Sequence, residues 1–267
     1  MRKHLWWIVC VLFIFSVAVI SWKPANALKN NSLKSSKAFT TKELFAQYVA
    51  NVYNTANLQQ TGMDLSVFQK AFTGYLNLKL SNKLHSVNYL TVVDFGKSSR
   101  EKRMWIIDVV NKALVLNTWV AHGQGSGDDM ASRFSNTNES HQSSLGFYLT
   151  DDVYMGKHGR SLRLDGLEEG INSAARARGI VIHAADYVSQ NSINQIGRLG
   201  RSFGCPAVSP ELSNQIIDTI KGGSLLYING NDSHYLSKLL DETIPANSIM
   251  QDTLTPDSTA IAAVAKL

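Results

Sequence analysis

Cys205 and His183 are the residues of this 267-residue chain best suited to covalent chemistry. Cys205 stands in Arg201-Ser202-Phe203-Gly204-Cys205-Pro206-Ala207-Val208, and His183 closes the apolar run Ile180-Val181-Ile182, 22 positions before the cysteine. The only other cysteine, Cys10, lies in an N-terminal hydrophobic segment. Once that segment is removed, Cys205 has no intramolecular partner, and an exported protein that keeps one free thiol in an oxidising compartment has a use for it. Attack on an amide carbonyl by sulfur needs a thiolate, a group that takes and returns a proton, and N–H donors aimed at the oxygen that becomes negative. An imidazolium at His183 would ease ionisation of the thiol, so that it reacts well below pH ~8. Gly204 lets the backbone approach a substrate closely, which makes the Gly204 and Cys205 amides the expected oxyanion donors.

The segments that position these residues begin with a signal. Met1-Arg2-Lys3-His4 is basic, Leu5 to Ile20 is almost wholly apolar, and Ala25-Asn26-Ala27 has the small-x-small pattern of a cleavage site, so residues 1–27 read as a signal peptide and the expected localisation is extracytoplasmic, in the periplasm or cell envelope. After cleavage no stable membrane insertion is expected. Loss of Arg2, Lys3 and Lys23 leaves 23 Lys+Arg against 21 acids, a formal charge of +2, and no basic run interleaved with aromatics remains, which argues against nucleic acid as partner. Residues 28–38 read as an Asn/Ser/Lys-rich linker. Thr40 with Glu43 forms a capping box before a helix carrying Leu44, Tyr48 and Val52, and a second helix follows Asp64 with Phe68, Phe72, Tyr75 and Leu76. Residues 39–86 are thus a helical hairpin that braces the rest or shades a cleft.

From Tyr89 the period changes. Tyr89–Asp94, Arg103–Asp108 and Leu114–His122 read as strands, with shorter ones at Gly146–Thr150, Leu162–Leu164, Gly179–His183 and Ser224–Ile228. Between Gly123 and Ser144 runs a long polar loop, functional or disordered by its length, in which Phe134, Asn136 and Asn138 are candidates to line a groove. Ser209, Pro210, the stripe Leu212, Ile216, Ile217, Ile220 and the stop Gly222-Gly223 specify one packed helix. The expected fold is mostly β, a sandwich or barrel with that helix, and residues 231–267 are a weakly patterned C-terminal tail.

A strand-borne His followed by Ser/Thr-x-Gly-Cys resembles the L,D-transpeptidase catalytic domain family (YkuD-like). Val120-Ala121-His122-Gly123, Ser143-Ser144-Leu145-Gly146-Phe147, Gly156-Lys157-His158-Gly159 and Gly200 to Val208 are similar to its murein L,D-transpeptidase catalytic-domain-like branch. The resemblance runs from about Tyr89 to Asn229 and implies a catalytic domain over 87–230. It assigns Cys205 as acylated nucleophile, His183 as proton partner, Ser202 as the motif Ser/Thr and Gly204 as the glycine before the nucleophile. Where the commoner motif has His between Ser and Gly this chain has Phe203, and where it has an apolar residue and Arg after the cysteine this chain has Pro206-Ala207. Arg201 and Arg198 are the expected replacements for that charge, pairing with a stem-peptide carboxylate. The implied activity is acyl transfer on peptidoglycan stem peptides: a Cys thioester on the diaminopimelate carbonyl, release of D-alanine, and resolution by an amine. No metal and no cofactor is required.

Three other readings stay open from the sequence. Water as acceptor would make the protein an L,D-carboxypeptidase. The Phe203 and Pro206 departures suit a catalytically silent wall-binding or structural module. His122, His141 and His158 with Asp128 and Asp129 form a possible zinc set, although their spacing is not that of a helical HExxH site.

Overall fold

The computed structural model describes residues 39–254, with side chains through residue 251. The predicted signal peptide, the 28–38 linker and residues 255–267 lie outside the described residues. The mostly β expectation holds. Strands β1 (Tyr89–Asp94), β2 (Met104–Asp108), β3 (Ala113–Thr118), β4 (Gly146–Gly156), β5 (Gly159–Gly166), β6 (Val181–Ala184), β7 (Ala207–Val208) and β8 (Leu225–Asn229) form one sheet in the order β3-β2-β1-β8-β4-β5-β6-β7. The pairs β1–β8 and β6–β7 are parallel and the others antiparallel.

The strand predicted over Leu114–His122 leaves the β2 ladder at Thr118. Trp119 and Val120 turn away, and Ala121 bridges to the far end of the sheet: its N–H donates to the Ala207 carbonyl (2.8 Å) and the Ala207 N–H donates back (3.3 Å). The chain cannot continue along β2 and also reach β7, so the strand is cut short and the sheet curls toward a closed barrel. Closure brings the segment 119–123 beside the cysteine motif.

The central strands β1, β2 and β8 are apolar on both faces because both are covered. Leu90, Val92, Trp105, Ile107, Leu225 and Tyr227 face an outer core. Val93, Met104, Ile106, Leu226 and Ile228 face the barrel interior, with Ile216, Ile217 and Ile220 of the predicted helix Pro210–Ile220. Each such side chain fully withdrawn from water contributes about 1.5–3 kcal/mol.

Helices α1 (Thr41–Thr55) and α2 (Leu65–Leu80) cover the outer face. The capping box forms as read: the Glu43 N–H donates to Thr40 Oγ1 (3.2 Å) and the Thr40 N–H donates to Glu43 Oε2 (2.8 Å). The buried stripe of α1 is rotated by one residue from the predicted one. It is Phe45, Val49, Val52 and Tyr53, with Leu44 half-buried and Tyr48 exposed, because Phe45 presents more apolar surface to the core than Leu44. On α2, Gly74 sits where an added Cβ would overlap the Phe147 ring, so its lack of a side chain sets how close the helix lies to β4. The hairpin therefore braces the sheet.

Further helices are α3 (Gln190–Ile196), the predicted Pro210–Ile220 helix, here α4, and α5 (Thr243–Leu254). The C-terminal segment packs on the N-terminal helices through Gln69–Glu242 (2.5 Å) and through Asn77 Nδ2, which donates to the carbonyls of Leu239 (2.9 Å) and Asp241 (2.8 Å). No described helix is long and apolar enough to cross a membrane.

Candidate active site

Parallel pairing of β6 with β7 opposes His183 to Ala207, two residues beyond Cys205. Along β6 the side chains alternate: Ile182 enters the barrel core, while Val181 and His183 line a cleft of about 380 Å³ that also contains Cys205. The Val181 N–H donates to Cys205 Sγ (3.5 Å), and the thiol reaches the Gly179 carbonyl (3.6 Å). One short strand thus supplies both the imidazole and a backbone donor to the sulfur.

His183 is buried, and its Nδ1 lies 2.9 Å from the Ala184 carbonyl. A carbonyl only accepts, so Nδ1 carries the proton and Nε2 holds the lone pair a general base needs. His158, in the β4–β5 turn, stacks on this ring with centroids 4.4 Å apart. Burial holds the His183 pKa below its ordinary value; the Ala184 carbonyl opposes the shift, and the charges at His158 and Lys157 add to it. Burial likewise pushes the Cys205 thiol up, with the Val181 N–H, Arg178 and Lys157 working against it. Both shifts favour the uncharged thiol and the uncharged imidazole, which runs against the expected ease of ionisation: removal from water disfavours both charges.

The turn that presents the sulfur is clamped by Ser202. Its Oγ donates to the Cys205 carbonyl (2.7 Å) and accepts the Gly204 N–H (3.0 Å). The expected pair of oxyanion donors is thereby reduced, since the Gly204 N–H is spent inside the turn. The Cys205 N–H, which makes no hydrogen bond among the described residues, remains. Gly204 itself has φ +125°, and a Cβ there would crowd the Gln142 carbonyl (2.8 Å) and Ile180 (3.1 Å), so only glycine suits the position.

The long polar loop is ordered against this turn. Ser143 Oγ accepts the Gly123 N–H and donates to the Gly204 carbonyl, both at 3.0 Å. Arg178 binds the same loop with four N–H groups: Nη1 to the Ser135 carbonyl (2.6 Å) and Ser144 Oγ (2.9 Å), Nη2 to the Gln142 carbonyl (2.5 Å) and Ser140 Oγ (3.3 Å). Phe134 instead packs on the barrel core, and Asn136 ties the loop to Ser173 and Ala174, so neither lines the cleft; nor does Asn138. Arg201 does line it, with Nη1 bonded to the Gly127 carbonyl (2.8 Å) and Asp128 (2.9 Å). Arg198 turns to the Leu199 carbonyl (2.7 Å) and is not among the lining residues. Sequence reasoning missed Arg178 and Tyr187 and held Ser143 only as part of the resemblance; Arg178 carries no local signal in Arg176-Ala177-Arg178.

The histidines weighed as a zinc set are dispersed. His141 stacks on Phe203 (4.5 Å), His158 on His183, and buried His122 receives Arg103 Nη2 on Nδ1 (2.7 Å). Among the described residues no group of three His, Cys, Asp or Glu is placed to hold a metal. Burial, then the Arg103 charge, pushes His122 down to about 4. The folded state thus disfavours a proton that the unfolded chain accepts near pH 6.5, so stability is full above 6.5 and falls as pH drops toward 4. Urea midpoints measured across that window should fall more steeply for the wild type than for His122→Gln; parallel curves would show that His122 does not titrate on unfolding.

The family model of the L,D-transpeptidase catalytic domain matches residues 59–229, most of the described chain, and the protein belongs to that family. No curated protein matches. Among solved structures, the chain is similar to an L,D-transpeptidase from Mycobacterium smegmatis (13% identity, 54% of this chain and 59% of that one, TM-score 0.33). It is also similar to one from Stackebrandtia nassauensis (13%, 64% and 68%, TM-score 0.33) and to the helical cell shape determining protein of Campylobacter jejuni (11%, 67% and 63%, TM-score 0.39). The family assignment rests on the model match, not on these distant superpositions. The chain spans a little under two thirds of the first solved structures that it matches.

Proposed function

We propose that this protein is an exported acyl transferase that remodels peptidoglycan stem peptides through a thioester on Cys205. The observation that carries this reading is the placement of His183 and Cys205 in one cleft by the β6–β7 pairing, within a member of the L,D-transpeptidase catalytic domain family. As Sγ attacks the diaminopimelate carbonyl, His183 Nε2 takes the thiol proton. The developing oxyanion is met by the Cys205 N–H, while Ser202 and Gly204 hold the turn that aims it. The proton passes from His183 to the departing nitrogen, D-alanine leaves, and the carbonyl carbon is bonded to sulfur. An acceptor amine then attacks the thioester and gives its proton to His183, which returns it to sulfur as the C–S bond breaks.

Export follows from the predicted signal over 1–27 and would place the protein in the envelope, where this substrate is found. The test is incubation with purified tetrapeptide-rich peptidoglycan, followed by mass spectrometry of the muropeptides. Dimers joined between third-position residues, with loss of D-alanine, are expected. Tripeptides alone would make water the acceptor and the protein a carboxypeptidase, and unaltered muropeptides would favour the binding-module reading.

A further inference from the structure

None of the thirteen residues lining the cleft is Asp or Glu, whereas Lys157, Arg178 and Arg201 are cationic. Such a lining favours an anionic ligand, and the three cations differ in what remains available to meet it. Arg178 has given its four Nη N–H groups to the 123–144 loop. Arg201 holds the Gly127 carbonyl and Asp128. Lys157 makes no hydrogen bond or ion pair among the described residues; its ammonium stands 6.0 Å from the centroid of the Phe203 ring.

The position of Lys157 follows from the β4–β5 turn. Gly156 pairs with Gly159, leaving Lys157 and His158 at the tip, and Gly159 takes φ +78° to close it. His158 lies on the His183 ring, so the tip is seated over the general base. Lys157 reaches from there to Phe203, two residues before the nucleophile, whose exposed ring is backed by His141 at 4.5 Å. Its charge is felt by both His183 and Cys205. An ammonium over a ring at 6.0 Å, the outer limit of such contacts, is weakly held, and a carboxylate is a far stronger partner in a cleft partly shut off from water.

We infer that Lys157 is the carboxylate anchor of the cleft: its ammonium exchanges the Phe203 ring for a carboxylate of the ligand seated beside Cys205. Only the identity of that ligand, a stem peptide, rests on the proposed function. Lys157 would thus supply the carboxylate contact expected of Arg201 and Arg198, from the β4–β5 turn.

Two small alkylating agents test the site without turnover. The Cys205 thiolate displaces iodide from iodoacetate or iodoacetamide, forming a C–S bond, and the two probes differ in a carboxylate. Rates at Cys205 are read on the full chain by mass spectrometry of its peptide. Their ratio cancels any change in thiolate fraction. The iodoacetate-to-iodoacetamide ratio should fall about 5- to 10-fold in Lys157→Met, the net scale of one solvent-accessible hydrogen bond, and be largely kept in Lys157→Arg. An unchanged ratio in Lys157→Met would overturn the inference. With stem peptides, the preference for a free over an amidated carboxylate, read in kcat/KM through KM, should shrink by a similar factor. If the wild type processes neither stem, the proposed function fails, and the alkylation ratio still decides the role of Lys157.

Discussion

Cys205→Ala is expected to abolish release of D-alanine and formation of any cross-link, with thermal stability close to that of the wild type. The sulfur makes two long contacts, to the Val181 N–H and the Gly179 carbonyl, and the residue is only half-buried. Removing it forfeits one small polarisable group and no strong hydrogen bond, a cost of about 1 kcal/mol or less. The turn survives because Ser202 clamps it through backbone atoms that alanine retains. Loss of turnover with an unchanged melting temperature therefore isolates the chemistry. Residual D-alanine release by Cys205→Ala would remove the thioester mechanism altogether.

His183→Ala should lower kcat/KM by about 10²- to 10⁴-fold, the range of a positioned general base. The pH profile carries the more specific expectation. Wild-type activity needs neutral His183, so it should fall on the acid side only as pH passes below the ordinary imidazole value near ~6.5, because burial holds the His183 pKa down. In His183→Ala that acid limb should vanish. What remains should rise with ionisation of the thiol, on the alkaline side of the ordinary cysteine value of ~8.5, since burial pushes Cys205 up. An acid limb unchanged in the variant would mean that a group other than His183 takes the proton.

The candidate nucleophile was legible because the one cysteine outside the N-terminal apolar segment, following Ser-x-Gly, carries its chemistry in a few adjacent residues. His183 was legible because it ends a β-branched run. The capping box at Thr40–Glu43 and the stripe on Pro210–Ile220 were readable for the same reason: both are set by neighbours within a few positions. Lys157 was legible only as part of a resemblance, and Arg178 not at all. Its bonds run to Ser135, Ser140, Gln142 and Ser144, more than thirty residues away, and no periodicity signals such a partnership.

By itself, then, the amino-acid sequence determined which side chains can do chemistry, the identity of most strands and of the three helices with clear caps or stripes, and the family to which the chain belongs. Tertiary structure decided the rest. The early end of the third strand follows from the need to reach Ala207, and the ordering of the 123–144 loop from Arg178 and Ser143. The loss of the Gly204 N–H as an oxyanion donor follows from Ser202 folding back into its own turn. The bias of Cys205 and His183 toward their uncharged forms follows from burial in a shared cleft. Propensity and reactivity are properties of a residue and its near neighbours, whereas dielectric environment, strand partners and the availability of a donor exist only once distant segments have packed.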